Sequence, residues 1–191
     1  MAKEVLEQLF DSPVKVKLLK LFLRNPEQSF TLLGITKRLK CNSAACRREL
    51  NKLSDIRLIN IRFKAKKKTY SVNPSFDFYN ELKTLVLKSS PTSKKKMIKK
   101  LRLLGGIKVA IIAGVLLNNE NARVDMLIVG DNINNRKINN LLTDLEADVG
   151  KELDYVIMTT DEFEYRFEMF DRFLLDVMEK PHEKIINKLK I

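Results

Sequence analysis

Residues 31–72 read TLLGITKRLKCNSAACRRELNKLSDIRLINIRFKAKKKTYSV. Apolar positions at helical spacing predict a short helix over Leu32–Leu39, with Thr31 placed to accept a bond from its first free amides. Lys40-Cys41-Asn42 breaks the pattern, and Asn42 caps a second helix from about Ser43 to Leu53. On that helix Ala45, Leu50 and Leu53 turn inward, with Cys46 and Glu49 near the boundary. Ser43, Ala44, Arg47, Arg48, Asn51 and Lys52 lie on or beside the outer face. The spacing then changes to period two. Leu58, Ile59, Ile61 and Phe63 predict one strand, and Thr69 to Val72 another. Between them, Lys64-Ala65-Lys66-Lys67-Lys68 forms a strongly cationic tip.

The chemistry of that outer face suits a DNA major groove. Arginine donates two bonds to guanine, asparagine pairs with adenine in the same two-pronged way, and small residues let the backbone approach the duplex. Lys64, Lys66, Lys67 and Lys68 suit phosphates or the minor groove. Asn42 and Tyr70 complete the expected DNA-facing set. Helix, turn, helix and basic hairpin in this order resemble the winged-helix DNA-binding domains of transcriptional regulators, over roughly residues 5–88.

Composition points the same way. The chain has 191 residues, 45% of them hydrophobic, and a formal net charge of +12. Residues 1–104 hold 25 Lys/Arg against 8 Asp/Glu, a balance of +17, whereas residues 105–191 hold 11 against 16, a balance of −5. One half is built to meet phosphates and the other is not. No run approaches the ~18 apolar residues of a membrane span, and the charged, amphipathic start is no signal peptide. Cys41 and Cys46 are the only cysteines, too near one another to staple a fold. Free structural thiols in a reduced cytoplasm are therefore expected.

Upstream, Val5, Leu6, Leu9 and Phe10 form a short apolar stripe. Ser12 and Pro13 then start a core helix through Leu23. Phe30 adds a short strand or anchors the next helix. Downstream, Ser75–Lys88 reads as a helix whose apolar stripe (Phe78, Tyr79, Leu82, Leu85, Val86) either packs on this domain or forms a dimer seam. Residues 89–93 are the expected linker, and Lys94 opens a basic helix through Leu104. From Gly105 the pattern becomes α/β. Apolar runs at Ile107–Ala113, Val124–Val129 and Leu153–Met158 read as strands, with a helix around Ile138–Leu145 and another opening at Asp161. Ile185, Ile186 and Leu189 are expected in a last short helix.

The run VAIIAGVLLNNENARVDMLIVGD (109–131) resembles the core of the small nucleotidyltransferase fold. In that family a strand ends in Gly-Ser, Asp-x-Asp opens the next strand, and a later strand supplies a third carboxylate. Such carboxylates hold two magnesium ions that align the triphosphate and the attacking hydroxyl. Here Gly114 matches the glycine, but Val115 replaces the serine. Asp125 matches the second aspartate, but Arg123 replaces the first, and Asp154 matches the third. An arginine in that position repels a metal, so the resemblance implies a degenerate site. Residues 153–163 with Phe173-Leu174 resemble the later part of the same family, in the version fused behind winged-helix regulators.

The expected fold class is therefore α+β. A winged helix-turn-helix domain (1–88) precedes a linker and basic helix (89–104) and a small nucleotidyltransferase-like α/β domain (105–191). The expected function is a DNA-binding transcriptional regulator, not an enzyme, with no cofactor and no metal. Its partners would be double-stranded DNA and a second copy of itself, and its second domain would take a nucleotide or a protein ligand. Two alternatives stay open: a nucleotidyltransferase acting on a protein or nucleic acid through Asp125 and Asp154, or a winged helix that clamps RNA by shape. His182, the only histidine, leaves no serine or cysteine triad in view.

Overall fold

The computed structural model describes residues 5–64, 66–88, 94–119 and 121–191. The chain is mixed α+β and divides into two compact units. One comprises residues 1–89 with 146–151, the other residues 90–145 with 152–191. The linker expected at 89–93 lies outside the described residues.

In the first unit, α1 (Val5–Leu9) precedes α2 (Pro13–Arg24). Proline fits the first turn of α2 because its missing N–H would have had no helical partner, and the Ser12 hydroxyl accepts from the Lys15 amide. Then come β1 (Phe30–Thr31), α3 (Leu32–Leu39), α4 (Ser43–Asp55), β2 (Ile59–Lys64), β3 (Lys67–Val72) and α5 (Tyr79–Lys88). The three strands form an antiparallel sheet in the order β1-β3-β2. Helix α2 is the hub of the core, with Leu18, Leu21, Phe22 and Leu23 all buried. Ile35 and Leu39 of α3, Leu50 and Leu53 of α4, and Ile59, Tyr70 and Val72 of the sheet pack in the same cluster. Tyr79, Leu82 and Val86 of α5 join it, so most of the α5 stripe is used in intramolecular packing. Phe78 and Leu85 remain exposed.

Two expectations are corrected here. Cys41 and Cys46 are not free thiols; they form a disulfide, with Cα atoms 6.7 Å apart. The turn makes this reachable, because Lys40 adopts a left-handed conformation (φ 50°) and folds the chain back beneath the start of α4. The pair therefore gives no argument for a reducing compartment. Cys46 and Glu49 are also not boundary residues. Both are buried, whereas Ala45 is only half-buried, so α4 is rotated slightly from the expected phase. Glu49 tolerates burial because Lys15 and Lys52 lie within ion-pair distance, at 3.7 and 3.3 Å.

The second unit begins with α6 (Lys94–Arg102), whose Met97 and Leu101 are buried. It continues through β4 (Ile107–Ile112), a 3-10 turn (Gly114–Leu117), β5 (Met126–Gly130), α7 (Asn135–Val149, of which residues 146–149 belong to the first unit), β6 (Tyr155–Met158), α8 (Thr160–Glu168), α9 (Arg172–Glu179) and β7 (Glu183–Asn187). Strand order is β6-β5-β4-β7. Only β5 and β6 run parallel; β4 is antiparallel to both of its neighbours. Helices α8 and α9 cover one face of the sheet, through Phe163, Leu174 and Val177 against Val109, Ile111, Leu127 and Val129.

The last helix expected around Ile185–Leu189 is instead strand β7. Its two adjacent isoleucines fit either conformation, and the open edge of β4 decides between them by pairing with Glu183–Asn187. Among the described residues, no helix is long and apolar enough to cross a membrane.

Candidate nucleic-acid interface

Helix α4 is fixed by its start. The Asn42 side chain accepts from the amides of Ala44 (2.8 Å) and Ala45 (3.4 Å), and Thr31 does the same for Gly34 at the head of α3. Below this cap the disulfide ties the turn to the buried side of α4. With Cys46, Leu50 and Leu53 seated in the core, helical geometry turns the opposite face outward. Ser43, Ala44, Arg47, Arg48, Asn51 and Lys52 are all exposed there. An open depression of about 620 Å³ lies over this surface, lined by Asn42, Ser43, Ala44, Arg47, Arg48 and Asn51.

These polar groups are not spent internally. Among the described residues, Arg47, Arg48 and Asn51 have no hydrogen bond or ion pair, while Lys52 reaches Glu49. Two guanidinium groups, a carboxamide and small side chains at a capped helix start can therefore meet an external surface rich in acceptors.

The β2–β3 hairpin supplies the second part. Six residue pairs are in register from Ile59↔Val72 to Lys64↔Lys67. Lys64, Lys66, Lys67 and Lys68 are exposed along its outer end, together with Arg62 and Phe63. Tyr70, expected to face DNA, is instead 3% exposed and belongs to the core. Its position opposite Ile61 puts it on the face of the sheet that packs against the helices. Its ring lies under the Lys68 ammonium at 5.5 Å, so it helps to hold a lysine rather than contacting a partner itself.

The other suspected site, in the second unit, has a different construction. Asp125 is 6% exposed, and both its carboxylate oxygens are engaged. One accepts from the Val115 amide at 2.6 Å and the other from the Asp154 amide at 2.9 Å. Backbone bonds Ala113 N–H to Asp125 O and Asp125 N–H to Asp154 O complete a clasp joining three chain segments. Gly114 is required for it. The residue is left-handed (φ 54°), and a Cβ there would come within 2.0 Å of the Asp125 carboxylate. Arg123 is turned to Asp176 (2.9 Å) and lies over the Phe173 ring at 5.3 Å. Asp154 is exposed, but its amide belongs to the clasp. Gly114, Asp125 and Asp154 thus do come together, around backbone amides. Among the described residues, no group of three or more acidic, histidine or cysteine side chains is arranged to hold a metal.

A further carboxylate in this unit is Asp131. The Thr160 hydroxyl, then the Thr160 amide, and the Lys108 charge hold its pKa below the ordinary 3.8. No local pattern signals this pairing, because the partners lie far apart along the chain.

No family model matches the chain, and no curated protein or solved structure was found to match it.

Proposed function

We propose that the protein is a DNA-binding transcriptional regulator of the winged helix-turn-helix type. In this reading α4 enters the major groove and the β2–β3 hairpin is the wing that follows the backbone or minor groove. The observation that carries it is the outward set Arg47, Arg48 and Asn51, unpaired within the described residues, in the same unit as a hairpin with four exposed lysines. Arg47 and Asn51, four residues apart, share one helix face and can address neighbouring bases. The lysines supply affinity without sequence information.

The second unit is read as a nucleotidyltransferase-like domain without the chemistry, serving association or ligand sensing. Support comes from Asp125, whose oxygens are taken by backbone amides, and from Arg123 at the position of a missing carboxylate. A pairing of two copies would suit a two-fold operator, with the exposed Phe78, just before α5, and the exposed Leu85 of α5 as apolar positions available to it.

Selection of duplexes from a random library with purified protein, followed by Arg47→Ala, tests the reading. Loss of a two-pronged base contact costs about 1–3 kcal/mol on the selected sequence and much less on random DNA. Equal loss on both would remove α4 as the base-reading element. Competition with duplex RNA separates this reading from recognition of RNA by shape, because the deep, narrow groove of RNA does not admit a helix.

A further inference from the structure

We infer that Phe63 is a base-contacting wedge of the wing, inserted against a base-pair step of duplex DNA; this rests on the DNA-binding reading above. The side chain is 77% exposed. A single exposed apolar residue is ordinary and argues nothing by itself; the position of this one does. Side chains along β2 alternate between faces, so Ile59, Ile61 and Phe63 share one and Arg62 and Lys64 share the other. Ile59 is buried and Ile61 packs on the core, opposite Val72 and Tyr70. Phe63, opposite Lys68, is the next position on that face, beyond the last core contact.

The surroundings restrict what could cover the ring. Arg62, Lys64, Lys66, Lys67 and Lys68 are exposed around it, a setting that repels cationic partners and draws in phosphates. Lys68 is held over Tyr70, and among the described residues the Phe63 ring makes no aromatic or cation contact. A phenyl ring gives phosphate nothing to bind. What it complements, once the lysines have seated the hairpin on a backbone, is the flat apolar surface of a base. Apolar side chains that enter the minor groove do this by partly opening a base step.

The test uses the full chain and the duplex recovered by selection, with 2-aminopurine placed at successive steps beneath the wing. Wild type should raise the fluorescence at one step, reporting lost stacking. Phe63→Ala should abolish that rise and weaken binding by roughly 5- to 150-fold, the range seen for single base–aromatic contacts. Phe63→Trp should retain both. The slope of affinity against salt should be unchanged by Phe63→Ala, since no charge is removed, but should fall with Lys66→Ala. A folded Phe63→Ala protein that binds as wild type does, with Lys66→Ala still flattening the slope, overturns the wedge and leaves the DNA reading standing. A stronger loss on single strands than on the duplex, with no 2-aminopurine signal, also overturns it. Absence of duplex binding by wild type removes both.

Discussion

Arg47, on helix α4, and Asp125, just before strand β5, carry side chains that the protein uses in opposite directions. Arg47 stands on the outside of a capped helix, and nothing among the described residues consumes its donors. Asp125 points inward, and two backbone amides take its two oxygens. A side chain already satisfied inside the protein contributes to stability and offers little to a ligand. One left unsatisfied in water costs the fold almost nothing and remains available to a partner. The contrast separates a surface with free donors from a carboxylate that holds the fold together.

The largest expected effect comes from breaking the inward half. Asp125→Ala leaves the buried Val115 amide and the part-buried Asp154 amide without their acceptor and lowers stability by about 3 kcal/mol, roughly 2 from the first and about 1 from the second. Urea unfolding reads this, and Asp125→Asn, which keeps one acceptor, should lose about half as much. An Asp125→Ala protein as stable as wild type would mean that water replaces the carboxylate and the clasp is not structural.

Next comes the brace under the outward half. Reducing the Cys41–Cys46 bridge should lower stability by about 2 kcal/mol, the value for a very short loop. The readout is the denaturation midpoint with and without a phosphine. Cys41→Ser lacks the bridge and should not respond; if it responds as wild type does, the effect has another source.

A smaller change tests the intermediate case. Arg123 is paired yet half-exposed, so Arg123→Ala should cost only about 0.5 kcal/mol. A loss comparable to that of Asp125→Ala would place Arg123 with the inward set.

The smallest effect is on pH dependence. The folded-state pKa of Asp131 lies below 3.8, so its contribution is complete above that value and is lost as pH falls through the lower, folded value. Asp131→Asn should therefore be somewhat less stable than wild type at neutral pH, with a flatter acid limb, and the two proteins should converge as pH falls through the folded value. An acid limb as steep as that of wild type would contradict the assignment.

Much of this architecture is legible in local sequence because local chemistry specifies it. Ser12, Thr31 and Asn42 cap their helices through bonds spanning two or three residues, and the two strands of the hairpin follow from their alternation. What stays hidden depends on contacts distant in sequence or on small rotations. Strand β7 is decided by the free edge of β4. The burial of Tyr70 follows from its register against Ile61, which tyrosine's mixed polarity does not reveal. The inward bonding of Asp125 requires Gly114, eleven residues earlier, to lie against it, a contact that a carboxylate-counting motif does not weigh. The disulfide depends on the left-handed Lys40, a conformation that no rule of residue type assigns to lysine.

A crosslink between residues only five apart cannot hold distant parts of a molecule together, but it can turn a hinge into a fixed corner. The corner here carries the end of α3, the Asn42 cap and the first turn of α4. A segment already immobile before it meets its target has less freedom to surrender on docking, so more of its contact energy appears as affinity. The covalent bond would thus act on association through entropy, without touching the partner at all.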